Sequence, residues 1–496
     1  MSPPLRPWAI SAAVAILILT AGPFFAATTF IGDDHLFLAF SRYVSNPLAA
    51  FVRDHHGGEF YRPLPMALWW LLARLGNGAV FPFALTALVL HTAVAVQIAI
   101  LLSGVGEPRR VAWLSGTLFF LFPQTLEGAY WFSASTDLLA TTAALASLIA
   151  LVRRRYLLSA LLAACAYLCK ETALVLPLLG VVVLARRDGG WKRRHLAAVA
   201  PHLALAAGFL LVRWLVLGGW GGAADDRAGL GGKLVQLASG IVHVVTGAAI
   251  LPAPLAWTLG AVFLAGAVLH AARRQRGGEP APWLPVAFTG AALLPLLAAD
   301  WAVGARYFYL PAIGVAWLGG RWLKGASAAA LAMVASTLLG LGFAQAIVRR
   351  HDVTAYDARV AAAVQAVSDG AAAGHTAFHV TAGIKDLDLI AKAQPRLRPF
   401  ELRLLVLPDV PASFVVVPPA LEPSLKFLTA SPPIPPSGAY HFGEHRIVGL
   451  PRRGDDPTLA EVVSHLPDIR FIRLLSTASG GIVARDVTAE VRRTLD

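Results

Sequence analysis

Sulfur and charge are both scarce in this chain. Two cysteines and three methionines in 496 residues leave little scope for thiol chemistry. Cys165 and Cys169 lie four positions apart in one apolar segment, a spacing on a helix that disfavours a mutual disulfide, and both read as small buried residues. Cysteine and histidine show no zinc-type spacing, and no repeat of fixed period runs through the chain. Only 14% of residues are charged, against about 25% in ordinary soluble domains. That deficit excludes reading the length as a string of soluble domains and points to a polytopic membrane protein.

What is abundant is apolar sequence: 57% of residues are hydrophobic and the mean hydropathy is +0.63. With about 20 apolar residues needed to span a bilayer, eleven spans are expected. They lie near 8–30, 81–102, 110–128, 134–152, 156–169, 171–185, 195–217, 254–272, 281–300, 307–323 and 326–347. Residues 233–250 are placed as a re-entrant or interfacial helix, because a full span there would invert everything downstream. The first run is expected to be a signal anchor. The expected fold class is thus mainly α, a transmembrane helical bundle over 1–350, followed by a soluble α/β domain over 351–496.

The net charge of +13 resides in the first 350 residues, which carry 27 Lys and Arg against 13 Asp and Glu. The bases sit in short loops between apolar runs, which is the positive-inside pattern and not a nucleic-acid footprint. Sixteen fall on one side, in Arg6, Arg109–Arg110, Arg153–Arg155, Arg186–Arg187, Lys192–Arg194, Arg273, Arg274, Arg276, Arg321 and Lys324. On this threading the N-terminus is cytoplasmic, the protein sits in an inner or plasma membrane, and residues 351–496 are extracytoplasmic. That last region opens with a helix-like stretch, AYDARVAAAVQAVSDG. Strand-like runs TAFHVTAG, LRLLVLP, SFVVVPP and IRFIRLL and a proline-rich loop, SPPIPPSG, follow.

The acids fall opposite the bases. Ten of the 13 lie at or beyond outer ends, and only Glu107, Asp188 and Glu279 lie on the basic side. Carboxylates contribute little to orientation, so this asymmetry points to an outer-face site that uses acids. The long first outer loop, 31–80, contains GDDHLF, RDHHGGEFYRPLP and the tryptophan-rich MALWWLLARL, which is expected to lie along the interface. PQTLEGAYWFSASTDLLA, CKET and GARYFYLP reach the same side. Each cluster has a plain alternative. Asp33 and Asp34 fit a solvated cap, and Asp137 fits a helix first turn, where a carboxylate favours the dipole. Lys170 with Glu171 fits a tight-turn ion pair, and Arg306 a snorkelling side chain. Tyr130, Trp131, Tyr307 and Tyr309 fit an aromatic belt. His55 and His56 lack a spaced metal partner, and His91 fits interhelical packing or hydrogen bonding. Taken together, ionisable groups at membrane depth are costly and read as functional.

In order and spacing these segments resemble the GT-C membrane glycosyltransferases. They are nearest the branch of transmembrane O-mannosyltransferases and bacterial lipid A aminoarabinose transferases. The residues that carry the likeness are DDH at 33–35, YRPL at 61–64, LVLHTAVA at 88–95, FPQTLEGAYWFSASTDLLA at 122–140, CKETALVLPLL at 169–179 and ARYFYLPAIG at 305–314. The chain departs from the pattern at Cys169, where Ser or Ala is usual, and at SASTDLLA, where GRADLLA is usual. The resemblance implies sugar transfer from a polyprenyl-phosphate carrier to an acceptor hydroxyl on a protein, lipid or glycan. It implies Asp33 as general base, Asp34 as its neighbour or substitute, and Asp137 as an orienter of donor or acceptor. Arg62, Lys170 and Arg306 become candidates for the carrier phosphate, with Tyr307, Glu127 and His91 in support. A divalent cation, Mg or Mn, is an open option, with no metal ligands assigned.

The residue types fit that chemistry on their own terms. A carboxylate within hydrogen-bond reach can take a hydroxyl proton, and Arg and Lys stabilise a departing phosphate. No P-loop or dinucleotide glycine pattern follows a strand, which disfavours a soluble nucleotide-sugar donor and direct use of ATP. Two other classes are weighed against transfer: a transporter or flippase of lipid-linked sugars with the acids as a proton relay, and an envelope scaffold without catalysis.

Overall fold

A computed structural model describes residues 30, 34, 37, 41, 46–52, 60–77, 79–220, 230–247, 253–276, 283–297, 305–348, 377–381, 401–404, 413–417, 439–442, 445–448, 469–476 and 482–495. The described residues are mostly helical. In order the helices are α1 (Pro63–Leu75), α2 (Phe81–Gly104), α3 (Arg109–Leu121), α4 (Pro123–Tyr130), α5 (Ser135–Val152), α6 (Tyr156–Cys169), α7 (Leu176–Arg187), α8 (Arg194–Leu217), α9 (Leu230–Thr246), α10 (Ala253–Arg276), α11 (Leu284–Leu297), α12 (Ala312–Trp322), α13 (Ala328–Val348) and α14 (Thr488–Leu495). Four helical stretches among the described residues are long and apolar enough to cross a membrane: Phe81–Gly104, Phe132–Val152, Arg194–Leu217 and Ala328–Val348. They coincide with four of the expected spans. The expected first span, the 355–370 helix and the proline-rich loop lie outside the described residues.

The expected runs 156–169 and 254–272 are the uninterrupted helices α6 and α10, while some others are shorter or interrupted, and proline accounts for much of this. The run 110–128 is not one helix. Pro123 has no N–H to donate and holds Phe122 in extended backbone (φ −62°, ψ 124°), so α3 stops at Leu121 and α4 starts afresh. The run 171–185 begins as a 3-10 turn, Glu171–Val175, and becomes α-helical only at Leu176, where Pro177 suits a first turn. The run 307–323 likewise divides into a 3-10 turn at Ala305–Phe308 and then α12.

The helices pack through small residues. A Cβ built at Gly320 of α12 would meet Val111 O at 2.8 Å and also Ser115 Oγ, and one at Gly116 of α3 would run into Ala95 O of α2. Without hydrophobic drive between helices in lipid, close backbone approach of this kind supplies the dispersion contacts that hold them. Apolar side chains also face outward, including Leu203, Leu211 and Leu215 on α8 and Met333, Phe343 and Ile347 on α13. Cys165 departs from the expected burial. It is exposed on the outward face of α6 with Leu158 and Leu161, while Cys169 is buried.

The bundle has a basic end, where α2, α5, α7 and α12 finish and α3, α6, α8 and α13 begin. Glu107 joins three elements there: its Oε1 accepts from Arg186 Nε at 3.0 Å and from Arg321 Nη2. Arg187 Nη1 also donates to Val152 O at 2.9 Å. Two of the three acids expected on this side are thereby neutralised, since Asp188 accepts from Arg187, Arg194 and His195. The opposite end carries the start of α5, the close of α6 and the close of α8. Helix α9 lies across that opposite end. Lys233 near its start donates to Leu297 O where α11 closes, Gly240 sits against Phe308, and Gly247 beyond its end approaches Pro123 and Gln345.

In the C-terminal part, strands form where each of the four runs was expected. β1 (Ala377–Thr381), β2 (Glu401–Leu404), β3 (Ser413–Val417), β6 (Ile469–Ser476) and β7 (Ile482–Asp486) make one sheet in the order β2-β3-β1-β6-β7. β1 and β6 pair in parallel, and the other neighbours are antiparallel. β4 (Ala439–Phe442) and β5 (His445–Val448) form a separate antiparallel pair.

Candidate functional site

The end opposite the basic residues gathers charged side chains from segments distant in sequence. Asp34 is buried, and its Oδ1 accepts from the backbone N–H of Ser133 at 2.5 Å. Phe30 and Phe37 join an aromatic cluster: Phe30 meets Phe83 edge-on at 5.2 Å, and Phe37 lies 5.2 Å from Trp69, itself 4.5 Å from Phe83. Trp69 Nε1 donates to Ser135 Oγ at 2.9 Å, which fastens α1 to the first turn of α5.

Asp137 sits in the first turn of α5, as expected, but its partner is a distant cation. Lys170 Nζ donates to Asp137 Oδ2 at 2.5 Å, with both side chains almost fully buried, at 4% and 6% exposure. Lys170 follows the last residue of α6 in extended backbone (φ −163°, ψ 143°), which lets the chain turn while the side chain enters the bundle. The Tyr307 ring lies 4.7 Å from Nζ, a cation–π contact that lowers the cost of the buried ammonium.

Arg62 and Glu171 form the second pair. Arg62 Nε and Nη2 both donate to Glu171 Oε2, at 3.0 and 2.9 Å, and the guanidinium lies 4.0 Å from the Phe60 ring centroid. The other carboxylate oxygen, Oε1, accepts from Arg213 Nη1, a residue one turn from the close of α8. Gly218 ends that helix at φ +67°, a conformation that suits glycine. The turn brings Trp220 O to within 3.0 Å of Arg213 Nε. Sequence reasoning missed Arg213, because it stands alone inside an apolar span. An isolated arginine at membrane depth, near a helix end expected on the outer side, was the available signal.

His91 lies in the first half of α2 and is fully buried. Phe120 O, 3.2 Å from Nε2, can only accept, so Nε2 carries the proton and Nδ1 accepts from Tyr309 O–H at 2.8 Å. With both nitrogens engaged, His91 ties α2 to the segment before α12 and serves to position it. Gly128 of α4 closes on Tyr309, where a Cβ would stand 3.2 Å from the ring.

Of the expected residues, Asp34, Asp137, Lys170, Arg62 and Tyr307 thus come to the same end of the bundle. Asp33 lies outside the described residues, as do the side chains of Glu127 and Arg306, whose backbones belong to α4 and to the turn at 305–308. Among the described residues no group of three or more His, Cys, Asp or Glu gathers. No protein-family model matches the chain, and no curated protein matches it.

Proposed function

We propose that this protein is an integral membrane glycosyltransferase that moves a sugar from a polyprenyl-phosphate carrier to an acceptor hydroxyl. The observation that carries the reading is the convergence of Asp34, Asp137, Arg62, Lys170, Glu171 and Arg213 at one end of the helical bundle. By the positive-inside rule the basic end faces the cytoplasm, so the site and residues 351–496, read as a soluble α/β domain, are extracytoplasmic. The bundle would complete about eleven spans in an inner or plasma membrane.

In this reading the acceptor hydroxyl loses its proton to Asp33, while buried Asp34 anchors the acidic segment to the turn before α5. The oxygen attacks the anomeric carbon, and the bond from that carbon to the carrier phosphate oxygen breaks. Polyprenyl phosphate leaves with the bonding electron pair and needs fixed positive charge, not a proton. Arg62, Lys170 and Arg306 are the cations proposed to supply it, and a single displacement would invert the anomeric centre. Asp137 orients Lys170, and Tyr307 packs against the ammonium. A transporter would hold its charged groups near the membrane midplane, whereas these cluster at helix termini, which favours transfer.

The test is transfer from a labelled polyprenyl-phosphate sugar by purified protein in lipid, comparing wild type with Asp33→Asn. Product formed by wild type and lost in the folded variant supports the assignment. Movement of carrier across the bilayer without product points to a transporter, and neither activity to a scaffold.

A further inference from the structure

Glu171 is held between two guanidinium groups that come from residues 109 and 42 positions away in the chain. Arg62 takes one carboxylate oxygen and Arg213 the other, so the two cations address separate oxygens of one anion. The arginines are the more buried members, at 10% and 8% side-chain exposure against 22% for Glu171. Glu171 is thus the member of the trio with the most solvent access. Arg62 and Arg213 thus share this carboxylate at the end of the bundle where Lys170 is paired with Asp137.

We infer that Glu171 is a resident stand-in for a lipid phosphate: the headgroup of a polyprenyl phosphate replaces this carboxylate between Arg62 and Arg213. The inference rests on the lipid-carrier reading above and adds Arg213 as a ligand and Glu171 as the group that must move. The physical argument is one of competition. Two buried guanidiniums facing each other without an anion repel and are poorly solvated. A built-in carboxylate keeps the empty site folded. A phosphate offers two oxygens in the same bridging arrangement, and guanidinium forks suit it. Exchange of one anion for another keeps a negative charge between the two guanidiniums. The sugar-bearing carrier is a phosphodiester with one negative charge. The product is a monoester carrying roughly −1.5 to −2 at neutral pH, which the arginines hold more strongly. Return of Glu171 then helps to displace the product and reset the site.

The experiment is binding of polyprenyl monophosphate, and of the corresponding polyprenol, to protein in lipid nanodiscs. Wild type, Glu171→Gln and Arg213→Gln are compared, with inorganic phosphate as competitor. Removing the resident anion should tighten monophosphate binding by about tenfold and removing Arg213 should weaken it by about tenfold, each corresponding to about 1.4 kcal/mol. Polyprenol binding should not change. If Glu171→Gln does not fold, Glu171→Asp serves, since its shorter carboxylate cannot bridge both arginines and should tighten binding by a smaller factor. Unchanged or weaker monophosphate binding in whichever of these variants folds overturns the inference. So does competition by inorganic phosphate as strong as that by the lipid. A gain in phosphate preference in Glu171→Gln, alongside a wild type that shows no sugar transfer, would support the exchange while removing the transferase reading.

Discussion

Lys170 and Asp137, 33 residues apart, meet at 2.5 Å where α6 closes and α5 begins. Neither residue can serve as a freely solvated group. The ammonium is fixed by a carboxylate and an aromatic face, and the carboxylate spends an oxygen on the ammonium. Such a pair is costly to desolvate and gains by mutual attraction, so its main contribution is to hold a defined geometry where the chain turns.

Breaking that pair from one side should be strongly destabilising. Lys170→Met leaves Asp137 buried without its cation, and a loss of about 3–5 kcal/mol is expected for such a change. Combining it with Asp137→Leu should restore most of the stability and none of the transfer activity. Thermal unfolding in detergent, alongside the transfer assay, checks both parts.

Asp33→Asn should behave in the opposite way. Removing a general base costs on the order of 10²–10⁴ in rate, and the change adds no buried charge. The expected result is loss of turnover with an unfolding midpoint within a few degrees of wild type. A variant that keeps full turnover rules out Asp33 as the base.

The acid limb of stability should depend on Glu107 in the loop at the basic end. Burial alone would raise its pKa, but the hydrogen bonds and charges of Arg321 and Arg186 outweigh burial and hold it below the ordinary 4.5. As pH falls below that value the unfolded chain takes up the proton first. The stabilisation is therefore complete above 4.5 and is lost as pH drops through the folded value. Glu107→Gln should lower the midpoint at neutral pH and flatten its fall between neutral and acid conditions, as measured by unfolding across a pH series.

The close contact of α3 and α12 gives a packing test. Gly320→Val places side-chain atoms against Val111 O and Ser115, and overpacking of this kind costs about 1–3 kcal/mol. Gly208→Ala on α8 is the matched control. Nothing lies within 4 Å of its added Cβ, and exchanging a helical Gly for Ala is favourable by up to about 1 kcal/mol. A lowered midpoint for the first and an unchanged or raised one for the second are expected.

Much of the helical class was legible in the residue order, because hydropathy and helix formation are local. Runs 81–102, 134–152, 195–217 and 326–347 became long apolar helices, and the four strand-like runs near the C-terminus became strands. Local chemistry also explains where the expectation of unbroken spans failed. Pro123, Pro177 and Pro311 each sit where a helix starts, and a hydropathy window averages over them.

The composition and order of residues by themselves determined that the chain is mostly helical, with apolar helices long enough to cross a membrane and with acids and bases segregated between loops. They also singled out Asp34, Asp137, Lys170 and Arg62 as residues worth placing. Only the tertiary structure decided the partners: Lys170 with Asp137, Asp34 with the Ser133 backbone, and Glu171 between Arg62 and Arg213. The reason is physical. A helix forms from interactions within a few residues, whereas a buried charge selects its partner by what the whole bundle brings within 3 Å or so, and no local pattern records that distance.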